Sequence, residues 1–494
     1  MVRTEAVNHS AGSQTHSLVQ GVQTNLSVIG FYAAFWIAYV GLSLARTPHV
    51  IDNFPDSHTY LTLSFLGHAE RLWTVPLLYY VGGTGVGRVV LQTVIGAFCW
   101  IALAVQVGRV LESRAIRLVA QVWILLMSLC APILQWNRFI LSESFSISLT
   151  VLFLAASLAL ARRLDQKALG AFFIVAVVWT FTRQVQTFIV AALVVPFLIL
   201  AWRMPAARRL ATIGAVGMLL LGIWGTLTTL QNSSVSPTGI AATNQSEVQL
   251  AGIVQFRAVT DPTEIGFLYA HGMPHTSTLK VPPPLTTLGQ PVNVTQFANP
   301  YAEYELADDS KFKQWADRQG QAVYLRYLIT HPWTAISQPL LHGPELMTMN
   351  PDYAAASALP SWASTVLYGN LSSVAVSNGP SGAPRSSDPI YLVVLLCIGV
   401  FLVGLVVVRG RLTYVVWVGV VALIFSALWA VAVWDFAATE LPRELVETAV
   451  LAHLALIVLI AGALDTLVSR TTRPSGNPAV TLSLTSPVDV GTPC

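Results

Sequence analysis

Ten long apolar runs constrain this chain more than any other feature. They fall near 27–45, 89–108, 117–135, 140–161, 168–182, 185–202, 209–230, 389–408, 412–434 and 446–468. About 20 apolar residues, rising ~1.5 Å each as helix, cover the ~30 Å hydrocarbon core of a bilayer. Helix is required because backbone amides find no water there. The sequence therefore predicts an all-α integral membrane fold of about ten transmembrane helices, with a large loop between the seventh and eighth. The fifth and sixth runs are short and separated only by Arg183-Gln184, so they read as two crossings or as one bent pair.

Composition agrees. Hydrophobic residues make up 54% of the 494 residues and charged ones 10%, against roughly a quarter charged in soluble domains. The net charge of +3 is too small, and too divided among short loops, for a nucleic-acid partner. Of the four cysteines, Cys99, Cys130 and Cys397 fall inside apolar runs and Cys494 is the last residue. Their spacing suits neither metal nor disulfide, and Cys494 is not in a prenylation position. The first 26 residues are polar without a compact basic stretch. Ser43-Leu44-Ala45 would pass as a cleavage site, but the run before it is longer than a signal core, so an uncleaved first span is expected.

Charge in the connections orients the spans. Arg109, Arg114 and Arg117, then Arg162, Arg163 and Lys167, then Arg203, Arg208 and Arg209, then Arg409 and Arg411, alternate with loops poor in Lys and Arg. Arg470 and Arg473 follow the last span. The positive-inside tendency makes all of these cytoplasmic, with both termini inside; a plasma membrane is the expected location. The expected divisions are a cytoplasmic N-terminus (1–26), a transmembrane catalytic module (27–230), an extracytoplasmic loop segment (231–388), C-terminal transmembrane helices (389–468) and a disordered cytoplasmic tail (469–494). The loop segment carries Pro282-Pro283-Pro284 and many Ser, Thr and Asn, and reads as a loop domain without a core of its own. Near 300–330, Tyr301, Tyr304, Phe312, Trp315, Tyr324, Leu325 and Leu328 interleave with charge as in an interfacial amphipathic helix.

Polar residues gather on the outer side of this topology. The first outer loop holds Asp52, Asp56 and Tyr60. Asp56 suits a general base, which must reach the proton it takes, and equally suits a turn or helix cap after Pro55. Arg138, Arg183 and Arg443 stand at outer span ends, where a guanidinium can fork onto phosphate oxygens. Each has a structural alternative. Arg138 could pair with Glu143, and Arg443 with Glu440, Glu444 or Glu447. Arg183 interrupts two apolar runs, so a bound anion or a carboxylate partner is expected beside it. His271 and His275 have Gly272 and Pro274 between them, which argues against a helical metal pair. His453, inside the last span, reads as a satisfied core residue. Gly82-Gly83-Thr84-Gly85-Val86-Gly87 lacks the lysine of a phosphate loop and reads as a turn into the second span.

Set in order, these pieces resemble membrane glycosyltransferases of the GT-C class, which include protein O-mannosyltransferases and lipid A aminoarabinose transferases. The similarity rests on Asp56-Ser57-His58-Thr59-Tyr60, on Val75-Pro76, on Arg88 leading to Arg109, on Asn137 to Ser144 with its Ser142-Glu143, on Phe181-Thr182-Arg183, and on His331-Pro332. An adjacent acidic pair common in that class is absent, since Ser57 follows Asp56 and Asp52 is displaced. The resemblance implies an inverting transfer on the extracytoplasmic face, from a polyprenyl-phosphate sugar to a glycan, lipid or protein acceptor of the cell envelope. No cofactor and no metal are expected. Asp56 would be the base, Arg183, Arg138 and Arg443 would hold the donor phosphate, and Asp52, Tyr60, Glu143 and His331 would line the cavity.

Overall fold

The computed structural model describes residues 9–45, 57–66, 69–233, 245–279, 302–337, 412–436 and 444–471, with isolated positions between 339 and 368. Helix dominates, and no β-strand occurs among the described residues. The first half of the chain forms α1 (His9–Ala45), α2 (Thr74–Gly82), α3 (Gly85–Val110), α4 (Arg114–Met127), α5 (Glu143–Arg163), α6 (Gln166–Thr180), α7 (Gln184–Arg203) and α8 (Arg208–Ser233). A smaller unit follows as α9 (Gln245–Phe256), α10 (Pro262–Ala270), α11 (Ala302–Ala307), α12 (Ser310–Trp315) and α13 (Gln321–Thr330). The chain then returns as α14 (Leu412–Phe436) and α15 (Val446–Thr471).

Seven of these helices are long and apolar enough to cross a membrane: α1 from Ser27, α3, α5, α7, α8, α14 and α15. The protein is thus an all-α, multi-pass membrane protein. The expected count of ten is met only in part. The fifth expected run is the shorter apolar helix α6, and the eighth, 389–408, lies outside the described residues. The third, 117–135, is broken: α4 ends at Met127 and a second helical piece, Pro132–Arg138, bends away by 57°. Pro132 has no N–H to donate back, so a helix cannot pass through it intact. Gln92 of α3 compensates, its buried amide nitrogen meeting the carbonyl oxygens of Asn137, of Phe139 at 3.1 Å and of Trp136 at 3.4 Å.

The bundle packs round a buried aromatic centre. Trp179 stacks on Phe153 with ring centroids 4.8 Å apart, meets Trp429 edge-on at 5.6 Å, and donates its indole N–H to Thr150 Oγ1 at 2.9 Å. One ring thereby joins α5, α6 and α14. At Gly419 of α14 a Cβ would lie 2.6 Å from a Leu459 methyl, so the close approach of α14 and α15 needs glycine there. Glycine is also required in the turn between α2 and α3. Gly83 has φ +73°, and a Cβ on Gly87 would lie 2.2 Å from the Gly82 carbonyl oxygen.

Antiparallel packing gives the bundle two distinct ends. At one, Arg162 lies within electrostatic reach of Arg163 and Arg109. Asp465 of α15, fully buried, accepts the backbone N–H groups of Glu112 at 2.8 Å and Ser113 at 2.6 Å. That carboxylate occupies the amide-rich N-terminus of α4, where the helix dipole favours negative charge. The other end carries Tyr60, the start of α5, the α6–α7 junction and the start of α15.

The segment from Gln245 to Thr330 departs from the expected coreless loop. Leu250, Val254, Leu268, Phe312, Trp315 and Tyr324 bury one another in a second apolar core, distinct from that of the bundle. Phe312, Trp315 and Tyr324 therefore face inward, not toward a membrane surface. The exposed apolar stripe of this region is narrower: Leu325, Ile329 and Trp333, spaced four residues apart. Asp261 and Asp309 cap α10 and α12, each accepting two backbone amides. Arg257 fastens the unit to the bundle. Its guanidinium meets the carbonyl oxygens of Trp434 and of Asp435 (3.5 Å) at the end of α14, while the Tyr324 hydroxyl donates to the Asp435 carbonyl at 2.7 Å.

Candidate functional site

Where α6 ends, the chain must turn within three residues to start α7. Thr182 Oγ1 donates to the Trp179 carbonyl at 2.6 Å, and Thr74 of α2 donates its hydroxyl to the Val178 carbonyl (2.9 Å) and its N–H to that of Phe181 (3.3 Å). The freed carbonyls of α6 are thus answered, as buried backbone requires. Arg183 then stands extended (φ −143°, ψ 150°) just before α7, its side chain directed into the bundle end and only 10% exposed.

Three carboxylates surround it. Arg183 Nη1 lies 2.6 Å from Glu447 Oε1, Nη2 lies 3.8 Å from Glu143 Oε1, and Nη2 also pairs with Glu444. Glu143 and Glu447 are fully buried and Glu444 is about a quarter exposed (24%). Burial alone would lower the guanidinium pKa, but Glu444, Glu447 and Glu143 together raise it above its usual value, so Arg183 stays charged. A buried ion pair holds only when each charge is answered, since removal from water costs several kcal/mol per ion. Glu447 Oε2 is buried and accepts no hydrogen bond among the described residues. It offers an unspent acceptor on the inner wall of the cluster.

Tyr60, itself buried, packs beside the cluster. The turn Ser57–Leu61 places its hydroxyl 3.1 Å from Ser142 Oγ, one residue before Glu143. Arg71 lies over the Tyr60 ring, 4.9 Å from its centroid, and donates through Nε to Thr59 Oγ1 at 2.8 Å. A buried polar layer adjoins Tyr60. Tyr79 hydroxyl lies 3.0 Å from Gln92 Oε1 and 2.6 Å from the Leu141 carbonyl, and Gln186 Nε2 donates to Ser146 Oγ at 2.8 Å. Asn137 donates to Tyr39 and Ser43 of α1 at 3.0 and 3.2 Å and accepts from Ser144 Oγ at 2.8 Å.

Of the site residues expected from sequence, the structure brings Arg183, Glu143 and Tyr60 together. Of the two kinds of partner expected for Arg183, the structure places carboxylates beside it. Arg138 does not pair with Glu143. Its guanidinium carbon lies 5.4 Å from the Phe139 ring centroid, and Nε is buried without a hydrogen bond among the described residues. His331 belongs to the second unit, stacked on Tyr327 at 4.6 Å with Nδ1 3.2 Å from the Tyr327 carbonyl. No described contact joins it to the cluster. Asp52, Asp56 and Arg443 lie outside the described residues.

Other polar residues have local partners. His453 sits 2.6 Å from the Ala449 carbonyl and stacks on Tyr368, while His271 and His275 stack on Phe267 and Tyr269 respectively. Among the described residues no group of three or more His, Cys, Asp or Glu has metal-binding geometry. In the sequence, Glu444 and Glu447 stand out only as partners of Arg443. The signal that singles out Glu447 is position: a carboxylate at the second residue of an apolar span needs a cation, and Arg183 stands at the same end of the bundle. No family model matches the chain, and no curated protein or solved structure matches it significantly.

Proposed function

We propose that this protein is a membrane transferase that moves a sugar from a polyprenyl-phosphate donor to an envelope glycan, lipid or protein at the Tyr60 end of the bundle. One observation carries the reading: an arginine with three carboxylates and a neighbouring tyrosine, buried at one end of a largely apolar bundle. Ionisable groups are costly at such depth and are kept where they pair or act. In sequence, Asp56 stands four residues before Tyr60 and is the further carboxylate this reading uses.

The chemistry needs little more. An acceptor hydroxyl oxygen attacks the anomeric carbon, the bond from that carbon to the phosphate oxygen breaks, and polyprenyl phosphate leaves. The hydroxyl proton passes to a carboxylate, for which Asp56 is the proposed base. Cationic groups stabilise the departing phosphate. Arg183 fills that role by exchanging one carboxylate, the partly exposed Glu444 first, for a phosphate oxygen, with Arg138 and Arg443 as further donors. A second reading, a proton-coupled transporter or lipid flippase, is favoured by the excess of carboxylates over cations at Arg183.

Release of free polyprenyl phosphate from labelled polyprenyl-phosphate sugars, measured with envelope acceptors, separates the two. The transferase reading expects release from one donor and a loss of roughly a hundredfold in Asp56→Asn, the scale of removing a general base. No release from any donor removes the transferase reading. Equal release in both proteins removes Asp56 from the mechanism.

A further inference from the structure

An apolar groove opens in the side of the bundle between α5, α6, α7 and α14, walled by Phe153, Leu160, Phe172, Phe197, Trp417 and Phe425. It encloses about 790 Å3, counting the part open to the surroundings. Among the described lining residues, Ser157 and Trp417 carry the only polar side-chain groups. Along α5 it runs from Phe153 to Leu164, about 16 Å at ~1.5 Å per residue. That is about half the thickness of a ~30 Å hydrocarbon core.

Position and charge say what fits. The deep end lies at mid-bundle beside Phe153 and Phe425, and the other reaches the basic end, where Arg162 and Arg163 flank the lining residues Ala161 and Leu164. On the facing wall Leu200 lies one turn before Arg203. These three arginines are exposed, and no ion pair engages them among the described residues. A dry apolar groove at membrane depth forfeits dispersion contacts unless an apolar body fills it. A helix of 20 residues, ~30 Å long and ~10 Å across, is too large for it. A polyprenyl chain of many isoprene units is too long. One acyl chain that ends near mid-membrane matches both the length and the open mouth.

We propose that the groove holds one acyl chain of an anionic phospholipid whose phosphate lies against Arg162, Arg163 and Arg203. Trp417, more than a third exposed (37%), stands at the mouth as an interfacial anchor. The site is at the opposite end of the bundle from Arg183 and is independent of the transferase reading.

The test is native mass spectrometry of the full chain after reconstitution in equal parts of phosphatidylglycerol and phosphatidylcholine with identical 16- to 18-carbon chains. The wild type is expected to keep one phosphatidylglycerol. Ala161→Phe and Val421→Phe, which fill the groove from opposite walls, should each lose it while helical content is unchanged. Arg163→Gln with Arg203→Gln leaves the groove open and should reduce the preference for phosphatidylglycerol by about thirtyfold, the scale of two basic residues near an anionic headgroup. Equal retention by the filled variants, equal retention of both lipids by the wild type, or no retained lipid would each overturn the proposal. So would displacement of phosphatidylglycerol by added decaprenyl phosphate, which would give the groove to a carrier lipid.

Discussion

Arg183 is the residue on which the stability of the buried charge cluster most depends. Truncation to alanine leaves Glu143 and Glu447 buried without their cation, and losing one side of a buried pair costs about 3–5 kcal/mol. Glu447→Gln keeps the shape and leaves two carboxylates on the arginine, so its cost is expected to be far smaller, about 1 kcal/mol, the scale of one hydrogen bond. Thermal unfolding of the two variants in detergent reads this asymmetry. Equal losses would mean that Arg183 is not the keystone of the cluster. The need for a partner was legible in the sequence, because an arginine between two apolar runs cannot be left bare. Which partner was not, since Arg183 and Glu447 are 264 positions apart and only the antiparallel packing of α15 brings them together. Arg138 shows the converse: sequence proximity to Glu143 suggested a pair, but the break after Met127 turns its side chain onto Phe139.

Elements are held at both ends of the bundle by devices that no apolar pattern reveals. Asp465 stands among apolar residues in the last span, and its function as a cap for α4 depends on a contact across 353 positions. Asp465→Ala removes the acceptor for two backbone amides, so the α4 start is expected to open. The cost is about 1–3 kcal/mol, and faster amide exchange confined to Glu112–Arg117 would report it. Unchanged exchange there would exclude the cap. Arg257 does the same for the second unit, whose apolar core was hidden because its residues are spread over short helices with no long run. Burial raises the Glu264 carboxyl above its ordinary value, with Arg257 beside it pulling the other way. A raised folded value means that folding takes up a proton. The unit is therefore more stable below the ordinary glutamate range, and that advantage fades as pH rises through the raised value. Amide exchange in α9 and α13 should show this fall with pH in the wild type and lose it in Glu264→Gln. The same slope in both proteins would contradict the assignment.

At the scale of the whole molecule, apolar length and loop charge made the all-α membrane architecture and its two unlike ends readable in advance. Run 117–135 looks like one span in sequence because hydropathy is blind to a single proline. The polar groups then sort by end: Asp465 beside the arginines at one, Arg183 with its carboxylates and Tyr60 at the other. The proposed donor chemistry belongs to the Tyr60 end of the bundle. Sealed proteoliposomes test it most directly, with orientation read by maleimide labelling of Leu61→Cys in a Cys494→Ser background and a short-chain, water-soluble polyprenyl-phosphate sugar added outside, with acceptor. Carrier release is predicted only from vesicles that present Leu61 outward, and is predicted to vanish in Asp56→Asn. Equal release from vesicles that present the Arg163 end outward would contradict it.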